Sequence, residues 1–418
     1  MDRMISPKNR LGLHYPPDEP TRVADLQCWK PLLVQVGASW LVLEADGSRA
    51  IPEVFLRGLL EIGVRPLLHF KFPLDPAPRV TELQPLLRAY SRWGVRYAVF
   101  FDRPNASASW PSAAWTQHDL VERFLDRFLP LAETAWQVGI IPMLPPLEPG
   151  GSYWDTAFLR AALQGVLRRK PGLVQNGLGL SAYAWSFGRP VSWGWGGAER
   201  WPDARPYLTP EGSQDQRGLG IFDWYRGISR SAAGCELPLF LFEAGSSGER
   251  ASCPVELAEA IACLLQGEAV AEAEAPEGKL TPFPGCVMGA ALRIAGRPQD
   301  EAIQAWAAVL QKIHDRAVLE GAPAGLNGAH PIHHYLLLPV YEWGVPEWHL
   351  DAIKPFIRKY QPTVGFSLAE AALAESVTVL ATEGEIPESA LDQLRFAGCK
   401  VERIEARGTS LASLLAER

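Results

Sequence analysis

Over its first three quarters the chain alternates short apolar runs with longer amphipathic stretches. The runs are Leu11–Tyr15, Trp40–Glu44, Arg65–Phe70, Tyr97–Phe101, Ile140–Leu144, Leu178–Tyr183, Leu239–Glu243 and Cys286–Ala291. Each is short and nearly continuous in apolar residues, the pattern of a strand covered on both faces. Between them, Val80–Trp93, Asp119–Val138, Tyr153–Arg169, Val255–Gln266 and Gln299–Val318 space their apolar residues three and four apart. Several of these stretches stop at a glycine (Gly94, Gly139, Gly267), as helices commonly do. Eight strands alternating with helices predict a (β/α)8 TIM barrel of class α/β, spanning residues 1–321. A doubly wound open sheet is the rival arrangement, but no glycine-rich fingerprint follows the first strand to favour it.

The pattern then changes. Residues 322–331 are rich in Gly, Ala, Pro and Asn and are expected to be a linker. Residues 332–418 predict a smaller α/β unit: strand Tyr335–Pro339, helices Pro346–Tyr360 and Ser367–Ala374, then strand Val377–Ala381, helix Pro387–Ala397 and strand Lys400–Ile404. A last helix is expected over Ser410–Ala416. Within the barrel, Ser186 to Arg217 has no helical period. A loop that long in a compact domain is usually functional or disordered. Its tryptophans (Trp193, Trp195 and Trp201, with Trp185 just before) argue for order, either as a flap over the barrel mouth or as a loop packing its own aromatics. Gly267–Lys279 extends the preceding helix or forms an acidic loop.

Composition narrows the function. With 418 residues, 47% hydrophobic, the chain can bury a large core. A net charge of −7 argues against nucleic acid or an anionic membrane as main partner. The N-terminus has no apolar signal core and no run is long enough to span a bilayer, so the chain as given is expected to be soluble. Six cysteines without Cys-x-x-Cys spacing argue against structural zinc and suit core positions. His330, His333 and His334 cluster without a carboxylate at ligand spacing, which favours a solvated linker over a metal site. No metal and no cofactor is expected. Tryptophan outnumbers tyrosine, 15 to 10, a bias that suits stacking on sugar rings, although tryptophan is equally a core filler.

The candidate chemistry sits at the strand ends. In a barrel, function is built at the C-terminal ends of the strands. Those ends carry His14, Glu44, His69 with Lys71, Asp102 with Arg103, Glu148, Tyr183 and Glu243. A ring of polar groups at one mouth is what a polyhydroxylated ligand requires, since each hydroxyl must exchange water for a fixed partner. The most pointed position is Glu243, a carboxylate closing the apolar run Leu-Phe-Leu-Phe. Its bland alternatives are a helix cap or an ion pair with a nearby arginine.

Leu-Phe-Leu-Phe-Glu243-Ala-Gly-Ser-Ser resembles the seventh strand of the large clan of retaining glycoside hydrolases built on (β/α)8 barrels. Phe101-Asp102-Arg103-Pro104-Asn105 is similar to that clan's Trp-Asn-Glu-Pro-Asn on the fourth strand. The resemblance implies that Glu243 is the nucleophile and that Arg103 occupies the acid/base position. It also implies that Tyr183 lies near the nucleophile. A guanidinium stays charged at every useful pH and cannot cycle a proton. Arg103 is therefore expected to pair with Glu243, and an acid must come from elsewhere: Glu148 and Glu44 are the candidates. Asp102 is adjacent to Arg103, but neighbours along a strand point to opposite sides. Arg103, Asn105, His14, Glu44, His69, Tyr183, Trp185, Trp193 and Trp195 are the expected ligand contacts. Two readings stay open: a hydrolase acting on a polysaccharide, and a barrel that binds glycan without cleaving it.

The segment from Val377 to Ile404, with Thr409-Ser-Leu-Ala after it, resembles the type 2 cell-wall-binding repeat. Ala381-Thr382 stands where that family has Gly-Gly. The resemblance implies a cell-wall polymer as a partner and a cell-surface location if the chain is exported. A generic α/β lobe is the alternative.

Overall fold

A computed structural model describes residues 10–321 and 332–404, except 20, 276–277, 340–346, 361, 372–373, 383–384, 387, 389–390, 392–393 and 396–398. The chain divides between His314 and Asp315 into two compact units.

In the first unit the strands are β1 (Leu11–His14), β2 (Trp40–Glu44), β3 (Arg65–Phe70), β4 (Tyr97–Phe100), β5 (Ile141–Leu144), β6 (Gly179–Tyr183) and β7 (Leu239–Phe242). A small antiparallel pair, β8 (Val270–Ala271) and β9 (Lys279–Leu280), precedes β10 (Val287–Leu292). Eight of these strands close a parallel barrel in the order β1-β10-β7-β6-β5-β4-β3-β2. The predicted TIM barrel is the observed fold. The helices are α1 (Val23–Gln35), α2 (Glu53–Leu60), α3 (Val80–Arg92), α4 (Ser112–Trp115), α5 (Leu120–Gln137), α6 (Asp155–Arg169), α7 (Pro171–Asn176), α8 (Gly197–Arg200), α9 (Ile221–Ala233) and α10 (Val255–Gln266), and α11 (Glu301–Gly321) runs across the boundary at His314. Gly267–Lys279 does not continue α10: Gly267, at φ 95°, ends the helix and the chain turns into the β8–β9 pair.

Alternation along each strand builds two separate cores. Trp40, Val42, Leu67, Val99, Met143, Phe240 and Phe242 fill the barrel interior. Leu41, Leu43, Leu68, Phe100, Leu239 and Leu241 face the helical layer. The interior is crowded by Trp40, which packs edge-on to Tyr97 and Phe240. Gly289 is required there, because a Cβ would stand 2.7 Å from the Phe240 ring and 2.8 Å from the Trp40 indole nitrogen.

The second unit contains a parallel four-stranded sheet in the order β12-β11-β13-β14, with β11 (Ile332–Leu337), β12 (Thr363–Gly365), β13 (Ala374–Val379) and β14 (Lys400–Arg403). Helices α12 (Glu347–Tyr360) and α13 (Leu368–Ala371) accompany it. β12 is a strand that no apolar run announced. The predicted linker, the Ser410–Ala416 helix and the Thr409 segment lie outside the described residues, as does His330 and part of the Pro387–Ala397 helix. His333 faces Glu375 at 3.7 Å and His334 meets the Thr378 hydroxyl at 2.9 Å.

Candidate functional site

Two strand ends break the alternation that built the barrel, and both breaks bring a carboxylate to the mouth. After Val99 points inward and Phe100 outward, Phe101 would point inward again. Instead Phe101 adopts φ 73° and its ring joins the outer core. The register is reset, so Asp102 and Arg103 (φ 45°) both face the mouth and touch each other at 3.2 Å. This corrects the expectation that Asp102 and Arg103 diverge. On β7, Phe242 points inward and Glu243 should turn outward, but a φ of 45° swings its carboxylate to the mouth side. Non-glycine residues in the left-handed region cost free energy and persist where the surroundings over-determine them.

The surroundings of Glu243 do so. Its Oε1 accepts from Arg293 Nε and Nη2 at 2.9 and 2.6 Å. Its Oε2 accepts from the Trp185 indole N–H at 2.9 Å and the Arg250 backbone N–H at 3.2 Å. A carboxylate offers about four lone-pair sites, and all are used. The residue is 3% exposed. Its backbone N–H donates to His14 Nε2 at 3.2 Å, which places the His14 proton on Nδ1. Burial, then the charges of Arg293, His69 and Lys71, holds His14 well below the usual histidine range, so it is neutral as this bond requires.

Arg103 is not the partner of Glu243. Its guanidinium forms a two-pronged pair with Glu249 at 2.8 and 2.9 Å, and stands 3.8 Å from Glu148. Burial alone would lower its pKa, but Asp102 and Glu249 outweigh it and raise it. Tyr183 does not orient Glu243 by a hydrogen bond; its hydroxyl donates to Asp102 at 2.8 Å. Burial, with Asp102 and Glu243 nearby, pushes the Tyr183 phenol well above its ordinary range. The Tyr183 ring stacks on Trp185 at 4.6 Å. One stacked aromatic pair thus joins the two carboxylates, Tyr183 holding Asp102 and Trp185 holding Glu243.

Of the remaining expected contacts, His69 is buried beside Phe242, with Nε2 2.9 Å from the Phe101 carbonyl. Burial lowers its pKa, with Asp102 opposing. Glu44 is exposed and paired with Lys71 at 3.2 Å. Asn105 is fully buried and serves the scaffold: it donates to the Glu148 and Tyr153 carbonyls and accepts the Glu148 N–H, pinning the loop after β5. Trp195 is core as well, edge-on to Phe222 at 4.8 Å and beside Phe283 at 5.7 Å. Trp185 is 4% exposed, so its ring is not a platform. Trp193 has the Arg189 guanidinium over its face at 4.4 Å.

The Ser186–Arg217 segment is ordered and has two supports: its middle lies against α9, where the Trp224 indole N–H donates to the Gly194 carbonyl at 3.0 Å, and its later part lies against the loop after β5, where the Tyr207 hydroxyl accepts the Trp154 N–H at 2.8 Å. Its lock is the buried Asp215, which accepts from Arg189, Trp193, Thr209 and Arg217. Burial would raise that carboxyl, but these donors hold it at about 2. The segment's start joins the site directly: Ser186 bonds the Ser246 carbonyl and exposed Phe187 (φ 52°) meets Trp185 edge-on at 5.8 Å. Phe187, Glu249 and Arg293 are the members of the site that strand-end reasoning overlooked. Arg293 was findable, since it directly follows the β10 run. Glu249 and Phe187 lie in loops, with no local signal.

Among the described residues no group of His, Cys, Asp and Glu side chains is arranged to hold a metal ion. No described helix is long and apolar enough to cross a membrane. No family model matches the sequence, and no curated protein matches it. Among solved structures, the chain is similar to CelM2, a bifunctional glucanase-xylanase from a metagenome library (11% identity, TM-score 0.42, covering 71% of this chain and 74% of that one). It is similar also to an L-ribulose 3-epimerase (12%, TM-score 0.38, 76% and 99%). A third is a subgroup II endo-β-1,3-glucanase of glycoside hydrolase family 128 from Sorangium cellulosum (13%, TM-score 0.37, 72% and 98%). Likeness at this level says nothing of the reaction; the TIM barrel stands on the closed order of eight parallel strands.

Proposed function

We propose that the barrel mouth binds a neutral glycan, a cell-wall polymer among the candidates, and does not hydrolyse it. The observation that carries this reading is the saturation of Glu243. A retaining nucleophile must aim a free lone pair at the anomeric carbon, with a second carboxyl about 5–5.5 Å away to protonate the leaving oxygen. Glu243 has its lone pairs committed to Arg293, Trp185 and the Arg250 N–H. The acid/base position holds a guanidinium, itself clamped to Glu249. Charge is largely compensated within the mouth: Arg103 with Asp102 and Glu249, Lys71 with Glu44, Arg293 with Glu243. A surface of paired charges around exposed Phe187 suits hydroxyl recognition and ring stacking better than binding of a charged polymer.

Electrophoresis through gels containing soluble β-glucan, xylan or mannan tests this. The wild type should be retarded by at least one of them and Phe187→Ala should not, with no reducing ends released from that polysaccharide. Unretarded migration in every gel, or release of reducing ends, would overturn the reading.

A further inference from the structure

The carboxylates at the mouth are committed to partners inside the protein, with one exception. Glu243 accepts from Arg293, Trp185 and the Arg250 N–H. Asp102 accepts from Tyr183 and Arg103, Glu249 takes both prongs of Arg103, and Glu44 is paired with Lys71. The exception is Glu148. Among the described residues its carboxylate makes no hydrogen bond, and its neighbour Arg103 Nη1 stands 3.8 Å away, beyond bonding range. The side chain is 38% exposed, so a ligand can reach it.

The backbone that carries this carboxylate is, by contrast, tied on every side. The fully buried Asn105 amide accepts the Glu148 N–H at 2.8 Å and donates to the Glu148 carbonyl at 2.9 Å. The Gly151 N–H donates to the same carbonyl at 2.9 Å, and the Arg103 N–H donates to the Pro146 carbonyl at 3.0 Å. Position 151 requires glycine, because a Cβ would stand 2.6 Å from the Asn105 amide nitrogen. Pro145, Pro146 and Pro149 fix the φ angles around Glu148, and a residue before proline is itself kept out of the helical region. A side chain that holds nothing, on a backbone held by buried amides, is how a ligand contact is preorganised.

We propose that Glu148 is the specificity-determining residue of the mouth, its two oxygens accepting the hydroxyls of one vicinal pair on a sugar ring. This rests on the reading of the mouth as a neutral-glycan site. An ionised carboxylate only accepts, and its two oxygens lie side by side. Hydroxyls on adjacent ring carbons present two donors together, and bonds to a charged acceptor are the strong ones. A neutral polymer offers such a pair only where its linkage leaves neighbouring hydroxyls free. Internal residues of β-1,4-linked xylan and mannan keep the hydroxyls on carbons 2 and 3. Those of linear β-1,3-glucan carry the linkage on carbon 3, between the free hydroxyls of carbons 2 and 4, and have no vicinal pair. So placed, Glu148 selects 1,4-linked chains.

The test is electrophoresis of the full chain through gels containing soluble β-1,4-xylan, β-1,4-mannan or linear β-1,3-glucan. Mobility is read against a ligand-free gel, because Glu148→Gln changes the charge of the protein. The wild type should bind at least one 1,4-linked polymer about tenfold more tightly than the β-1,3-glucan. Glu148→Gln should lose about tenfold on that polymer. Its unfolding midpoint should stay within about 1 °C of the wild type. Equal binding of the β-1,3-glucan would overturn the assignment and leave the glycan reading standing. So would a Glu148→Gln variant that binds as the wild type does while Phe187→Ala does not. If no polymer retards the wild type, the glycan reading falls and the assignment falls with it.

Discussion

Replacing Arg293 by methionine probes the physical heart of the site. The substitution keeps much of the side chain's apolar bulk and removes the guanidinium that gives Glu243 two of its bonds, at 2.9 and 2.6 Å. The Glu243 side chain is 4% exposed and that of Arg293 15%, so solvent cannot replace the lost partner. Removing one member of a buried pair costs about 3–5 kcal/mol, because a charge is left uncompensated. Trp185 and the Arg250 N–H still solvate Oε2, which places the expected loss at the lower end, about 3 kcal/mol. For a unit of this size, at about 2.1 cal/mol/K per residue, that corresponds to a midpoint lowered by roughly 4–5 °C. Thermal and urea unfolding followed by tryptophan fluorescence would read it. The double variant Arg293→Met with Glu243→Gln should recover more than half of the loss, since no charge is then stranded. A single-variant loss below about 1 kcal/mol, or a double variant no better than the single, would refute the claim that this pair holds the mouth together.

Other outcomes follow from the same geometry. Trp195→Ala should cost about 3–5 kcal/mol because it empties a core position, whereas Phe187→Ala should shift unfolding by less than about 0.5 kcal/mol and act on ligand retention alone. Asn105→Ala strands the Glu148 N–H and two carbonyls and should cost about 2–4 kcal/mol, measured by the same unfolding curves. For Asp155, the folded state holds its proton more tightly than the unfolded chain. Its stabilising contribution is therefore complete below the unfolded value and is lost as pH rises through about 6. At about 1.4 kcal/mol per pH unit the loss reaches about 3 kcal/mol, so Asp155→Asn should be more stable than wild type at neutral pH and no more stable near pH 4.

The barrel was legible because its eight strands are buried on both faces and so are written as apolar runs. β2 and β3 fall within the predicted bounds, and α10 begins and ends where its period and Gly267 indicate. The site was legible only in its inventory. Strand-end counting found Glu243, Asp102, Arg103 and Glu148 but paired Arg103 with Glu243, because alternation cannot foresee the left-handed turns at Phe101 and Glu243 that redirect both side chains. Tryptophan in a long loop suggested stacking, whereas Trp195 is core and the exposed ring is Phe187, a difference set by packing against α9 and invisible in composition. Arg293 shows the opposite case: the strand-end rule that found the other mouth residues applies to it, since it closes β10 as Glu243 closes β7.

The central claim is that Glu243 anchors the mouth and is not a nucleophile. Long incubation of the wild type and of Glu243→Gln with whichever polysaccharide retards the protein, followed by reducing-end measurement, tests it most directly. The account predicts no release by either protein above the polysaccharide blank. Release by the wild type that disappears in Glu243→Gln would contradict it.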